Sequence, residues 1–111
     1  MYNLTFSKIF KIDANTVHRY IKETLEAPMA AESLKKELLE KLDHIKEKPY
    51  SRSLVQDIFL ASFGIRSIKI KNYLLFYNVE EEYNNVNAIT FMYNKRDWAN
   101  IIKEMTLDEI M

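Results

Sequence analysis

The stretch Gly64-Ile-Arg-Ser-Ile-Lys-Ile-Lys71, Asn72-Tyr-Leu-Leu-Phe-Tyr-Asn-Val79, Glu80-Glu-Glu-Tyr-Asn-Asn85, Val86-Asn-Ala-Ile-Thr-Phe-Met-Tyr93 decides the fold. Three runs rich in β-branched and aromatic residues, Ile65–Lys71, Leu74–Val79 and Val86–Tyr93, are separated by a tight turn at Asn72-Tyr73 and a polar turn at Glu80–Asn85. Such spacing predicts consecutive hairpins, hence an antiparallel meander. Alternation within the strands is unusual. Leu75, Tyr77 and Val79 oppose Leu74 and Phe76, and Val86, Ala88 and Met92 oppose Ile89, Phe91 and Tyr93. A solvated face would read as polar, so both faces of this sheet need cover. One reading leaves apolar surface ringed by cations and tyrosines for a partner. The other lets the remaining chain complete the core.

Upstream, Tyr2 and Leu4–Ser7 alternate as a first short strand. Asp13 or Asn15 is a candidate cap for a helix in which Val17, Tyr20, Ile21 and Leu25 recur at helical spacing. Pro28 breaks that pattern. A second helix carries Ala31, Leu34, Leu38, Leu42 and Ile45 in one stripe, with Lys35, Lys36, Glu37, Glu40, Lys41 and Asp43 on the other face, and Pro49 ends it. Two amphipathic helices in series predict a helical hairpin. Within Tyr50–Phe63, Ser51-Arg52-Ser53 reads as loop and Leu54–Phe63 as a short helix or an irregular excursion. Trp98, Ile101, Ile102 and Met105 mark a terminal helix, and Thr106–Met111 are expected to fray.

A chain of 111 residues makes one domain, residues 1–111, with one core. One glycine and two prolines argue against a linker-rich chain. Cysteine is absent, which removes disulfides and thiolate metal sites and fits a reducing, cytoplasmic setting. No apolar run approaches the roughly 18 residues of a membrane span, and the N-terminus lacks the pattern of a secretory signal; no membrane partner is expected. His18 and His44 sit off the apolar helix stripes without a second ligand at helical spacing, so both are expected in solvent, with no metal. A single glycine cannot build a glycine-rich phosphate loop, and no nucleophile motif is present. No cofactor is expected.

The chemistry that remains is a cluster of Arg66, Lys69, Lys71, Tyr73, Tyr77, Tyr93, Lys95 and Arg96. Metal-free RNA cleavage needs a base for the ribose 2′-hydroxyl, a cation for the phosphate, and an acid for the leaving oxygen. Arginine suits the second task because its fork matches phosphate oxygens. The alternative is structural: strand-end lysines guard sheet edges, and strand tyrosines pack half-buried. Parity also places Arg66 on the face of Ile68 and Ile70, opposite Lys69 and Lys71.

Gly64-Ile65-Arg66, Lys71-Asn72-Tyr73-Leu74-Leu75-Phe76-Tyr77-Asn78-Val79-Glu80-Glu81 and Tyr93-Asn94-Lys95-Arg96-Asp97-Trp98, with Pro49-Tyr50 upstream, resemble in order and spacing the RelE/ParE superfamily, the toxins of type II toxin–antitoxin modules. The resemblance spans nearly the whole chain. It implies an α+β fold of β-α-α-β-β-β(-α) type, an antiparallel meander packed against an N-terminal helical hairpin. It also implies a cognate antitoxin as partner. RelE-like members of the superfamily cut mRNA on the ribosome without a metal; ParE-like members poison DNA gyrase and are not nucleases. The resemblance carries over Arg66, Tyr93 and Arg96, with Lys69 and Lys71; the candidate catalytic residues are Arg66, Lys69, Tyr93 and Arg96, and the candidate RNA- or partner-binding residues are Lys71, Tyr73, Tyr77, Lys95 and Tyr50. The expected function is a toxin that cleaves ribosome-bound mRNA; the alternatives are a gyrase inhibitor or a non-toxic antitoxin-binding relative. The chain departs from the nuclease pattern in its zero net charge and in the Tyr93-Asn94 pair standing where some members carry histidine.

Overall fold

Ser7, rather than Asp13 or Asn15, starts the first helix: its hydroxyl accepts from the Phe10 amide at 2.9 Å. In the computed structural model the backbone is described for residues 1–110 and the side chains through residue 105. Strand β1 (Asn3–Phe6) therefore leads directly into α1 (Lys8–Arg19). The helix then widens into a π turn, Tyr20–Thr24, closed by the Leu25 amide on the Tyr20 carbonyl at 3.0 Å. Glu26 takes a left-handed φ of 51° to reverse the chain. Pro28 opens α2 (Pro28–Glu47), where its missing N–H costs no intrahelical bond.

After a 3₁₀ turn at Pro49–Ser51, the uncertain stretch settles as an excursion holding one short helix, α3 (Ile58–Ala61), capped by the Asp57 carboxylate on the Leu60 amide at 3.0 Å. The meander follows as β2 (Arg66–Ile70), β3 (Tyr73–Glu80) and β4 (Asn85–Tyr93), and α4 (Trp98–Ile110) closes the chain. Helical backbone thus runs past Thr106, where fraying is expected from the sequence; Met111 lies outside the described residues. The tight turn falls at Lys71-Asn72 rather than Asn72-Tyr73, with Lys71 at φ 56°.

The four strands lie in the order β1-β4-β3-β2, with β1 parallel to β4 and the other pairs antiparallel. The helical hairpin covers one face, burying Phe10, Leu34 and Ile45 against Ile68, Ile70, Leu75 and Tyr77. The excursion and α4 cover the other, burying Val55, Leu60 and Ile102 with Phe76, and Trp98 lies over the Phe76 ring at 5.1 Å. The two-sided apolar strands are thus largely explained by a second core.

One parity expectation fails. Phe76 pairs with Thr90 but Tyr77 pairs with Ala88, so Ile89 is an extra residue in β4. A bulge of this kind reverses the sidedness of everything beyond it. Phe91 therefore joins Val86 and Ala88 under the hairpin, while Met92 turns to the second core.

Candidate functional site

Arg66 opens β2, opposite Tyr77 on β3, and is bridged on its outer side by Leu54 of the excursion. As alternation predicts, it shares the hairpin face with Ile68 and Ile70. Its guanidinium donates to the Arg52 carbonyl and lies 5.1 Å from the centre of the Tyr50 ring. The Tyr50 hydroxyl donates to the Glu81 carboxylate at 2.5 Å, and Tyr2 donates to the same carboxylate at 2.9 Å. These bonds hold the Glu81 carboxyl below its ordinary range and push the Tyr50 phenol up to about 12. Tyr77 is fully buried; it donates to the Pro49 carbonyl at 2.8 Å, and burial raises its pKa. Tyr77 is a core residue and offers a partner no surface. A base or acid working near neutral pH needs its pKa drawn towards 7, whereas these phenols move the other way.

Tyr93 ends β4, and Arg96 lies in the turn beyond it. Tyr93 pairs with Tyr73, four residues along β3 from the Arg66 partner Tyr77. At about 3.3 Å per residue and about 5 Å per strand, this separates Arg66 from Tyr93 by about 13 Å along the sheet and about 10 Å across it. Along the backbone, Arg66 and Tyr93 are thus set two strands and four register steps apart. Tyr93 and Arg96 instead share a groove of about 510 Å³ with Tyr73, Tyr20, Leu25 and Asp13. Tyr73 stacks on Phe91 at 5.3 Å and meets Tyr93 edge-on at 5.9 Å. Its pKa is raised first by burial and then by the neighbouring phenols of Tyr20 and Tyr93.

The lysines are dispersed. Lys69 is exposed opposite Leu74, facing away from Arg66. Lys71 reaches back to Glu37 of α2 at 3.7 Å. Lys95 is exposed in the turn after β4. His18 departs from its expected solvent position: it is half-buried between the helices, with Nε2 3.4 Å from Glu32.

Two further features escape sequence reasoning. Arg52, Ser53, Leu54, Val55, Gln56, Ser67 and Trp98 line a mixed recess of about 440 Å³, and the Arg52 Nε is buried without a hydrogen-bond partner. The excursion meets β2 there through the Leu54–Arg66 bridge and the Val55 amide on the Ile65 carbonyl, contacts distant in the chain that no local pattern announces. The second feature is an apolar groove of about 470 Å³ between α1 and α2, floored by Phe6, Phe10, Leu34, Leu38 and Leu42 and walled by Leu39. Lys11, Lys35 and His18 also line it. Leu39 falls outside the buried stripe of α2 and is 53% exposed; that off-stripe leucine was the available signal.

No helix among the described residues is long and apolar enough to cross a membrane. Among proteins of curated function, none matches the sequence significantly. Solved structures share the fold. The toxin–antitoxin system ParDE from Pseudomonas aeruginosa superposes with a TM-score of 0.66 at 10% identity, covering 84% of this chain and 96% of that one. The RelBE2 complex from Mycobacterium tuberculosis follows at 0.58 and 14%, covering 83% and 96%. The intact RelBE complex from Escherichia coli gives 0.51 and 24%, covering 86% and 100%. In sequence, residues 4–98 match the family described as the ParE toxin of the type II toxin–antitoxin system parDE. The strands, hairpin and turn motifs from Leu4 to Trp98 all lie within that match, and the chain belongs to the ParE toxin family of type II toxin–antitoxin systems.

Proposed function

We propose that this toxin acts by binding its target rather than by cutting RNA, that the target is DNA gyrase, and that a cognate antitoxin silences it by laying a helix into the α1–α2 groove. The observation that carries the first part is the engagement of Arg66. Its guanidinium is engaged by the Arg52 carbonyl and the Tyr50 ring, and its strand lies two strands from that of Tyr93. Cleavage of a phosphodiester requires acid, base and cation within hydrogen-bond reach of one phosphate. Arg66 is already engaged by its own neighbours and its strand lies two strands from that of Tyr93, which favours a binding role over a shared reacting centre. Of the targets that the superfamily resemblance offers, gyrase needs no such convergence.

The antitoxin assignment rests on the groove's chemistry. An open apolar trough with lysines among its lining suits an amphipathic helix with leucine-like anchors and acidic flanks. Structural neighbours described as toxin–antitoxin complexes support a protein partner of this kind. The test adds the purified full chain to a gyrase supercoiling assay and, separately, to ribosomes programmed with a defined mRNA. Supercoiling should fall with increasing toxin while the mRNA stays whole. Cleaved mRNA with untouched gyrase would overturn the assignment.

A further inference from the structure

The recess where the excursion meets β2 has no part in the assignments above, and it gathers polar groups that the fold leaves unused. Arg52, Ser53, Gln56 and Ser67 form its polar lining. Among the described residues, none of these four makes a side-chain hydrogen bond, and Arg52 makes no ion pair. The Arg52 Nε is nevertheless buried. A buried donor without a partner is costly, and in a native fold it asks for an explanation.

The neighbouring acids are already taken. Asp57 pairs with Lys103 at 2.7 Å and caps α3, and Asp97 accepts from Asn100 at 2.7 Å. A second guanidinium strengthens the positive field, since Arg66 donates to the Arg52 carbonyl. Burial raises the Tyr77 phenol, while the charges of Arg66 and Arg52 both act against that rise, so both reach the same buried hydroxyl. Two cations this close, without a carboxylate of the described chain between them, attract an anion from outside.

The rest of the lining says which anion. Leu54, Val55 and Trp98 complete the recess. Leu54 is 43% exposed, and Ile58, two residues past Gln56, is 86% exposed. Arginine and tryptophan with apolar surroundings that exclude water are the makings of a protein interface. A nucleic-acid strand bears a charge at every nucleotide and is held through a row of cations. Here Arg66 is turned to the Arg52 carbonyl, and Lys69 stands two residues beyond Ser67, about 7 Å at strand rise. The chain as a whole has zero net charge and supplies no wider attraction.

We infer that this recess is a carboxylate site, in which the toxin takes an acidic side chain of its protein target between Arg52 and the hydroxyl and amide groups of Ser53, Gln56 and Ser67. A guanidinium and a carboxylate pair through charge-assisted hydrogen bonds, and the apolar walls receive the residues beside the acid. The inference rests on the proposed function in one respect, that the target is a protein.

The test follows the emission of Trp98, the single tryptophan of the chain. The full chain is titrated with the blocked peptide acetyl-Leu-Glu-Leu-amide, its glutamine counterpart, inorganic phosphate and a short oligothymidylate. The glutamate peptide should shift the emission at millimolar concentration and bind at least tenfold more tightly than the glutamine peptide. Arg52→Gln removes the guanidinium and keeps the carbonyl that Arg66 uses, so it should erase that preference without lowering the melting temperature. If the variant does melt earlier, the ratio of the two peptides on the wild-type chain still decides. Equal binding of the two peptides, or binding of neither, would overturn the inference. So would an oligothymidylate that binds more tightly than the glutamate peptide, which would give the recess to a nucleic-acid strand. In the supercoiling assay, Arg52→Gln should require at least ten times more toxin than the wild type for equal inhibition; equal potency would overturn the role in gripping the target. A wild-type chain that prefers the glutamate peptide but leaves gyrase untouched would remove gyrase as the target and leave the carboxylate site standing.

Discussion

Arg66→Ala separates a structural arginine from a catalytic one. The substitution removes a charged hydrogen bond to the Arg52 carbonyl and a cation–π contact with Tyr50. A hydrogen bond from a charged donor contributes about 1.5–3 kcal/mol, and a partly exposed cation–π pair about 0.5–1 kcal/mol. The Arg66 side chain is half-buried, so the lower ends apply and the total comes to about 2 kcal/mol. At about 4 °C per kcal/mol for a domain of this size, the melting temperature should fall by roughly 8 °C. The excursion should loosen first, since Arg66 is its tie to β2. Circular dichroism melts and amide exchange across residues 52–66 read both effects. At a temperature where the variant is still folded, growth inhibition should persist. A variant with unchanged melting and abolished toxicity would refute this reasoning and return Arg66 to a reacting centre.

Tyr77→Phe should cost about 1–3 kcal/mol, because it leaves the Pro49 carbonyl without its donor in the core; urea denaturation measures the loss. Leu39→Glu places a charge on the wall of the α1–α2 groove at an exposed position. It should leave folding and toxicity intact while weakening antitoxin binding at least tenfold, as read by calorimetry with the purified partner. The Tyr50–Glu81 bond should be visible in stability against pH. The carboxyl pKa is lowered in the fold, so its contribution is lost as pH falls below the ordinary value of 4.5. The phenol pKa is raised, so its contribution is lost as pH rises from 10 towards about 12. The gap in melting temperature between the wild-type protein and Glu81→Gln should therefore be widest between those limits and close at both ends. A gap that does not vary with pH would discount the bond.

The meander was legible because its signals are local: β-branched runs, a two-residue turn and a glutamate-rich turn. The hairpin was legible from the Leu34, Leu38, Leu42, Ile45 stripe. What escaped depends on contacts distant in the chain. The Ile89 bulge changes the facing of Phe91 and Met92, and nothing in the alternation of Val86–Tyr93 marks which residue is extra. Ser7 displaced Asp13 as the cap because β1 ends at Phe6, and Ser7, its own amide on the Ala88 carbonyl of β4, turns its hydroxyl oxygen to the Phe10 amide. Asp13 was then free to accept from Thr90. The candidate site illustrates the same limit. Residue types alone suggested Arg66, Tyr93 and Arg96 as a phosphate-handling set, whereas the register of β3 against its neighbours sets Arg66 two strands and four register steps from Tyr93. Tyr50 and Tyr77 were read as RNA- or partner-binding groups; Tyr50 is exposed with its hydroxyl tied to Glu81, while Tyr77 lies in the core.

Pulse induction of the full chain in cells, with plasmid supercoiling and transcript 5′ ends followed in the same samples, tests the central claim most directly. A toxin that binds gyrase will relax the plasmid within minutes and leave transcript ends unchanged. New 5′ ends clustered within translated codons, appearing before any change in supercoiling, would contradict it.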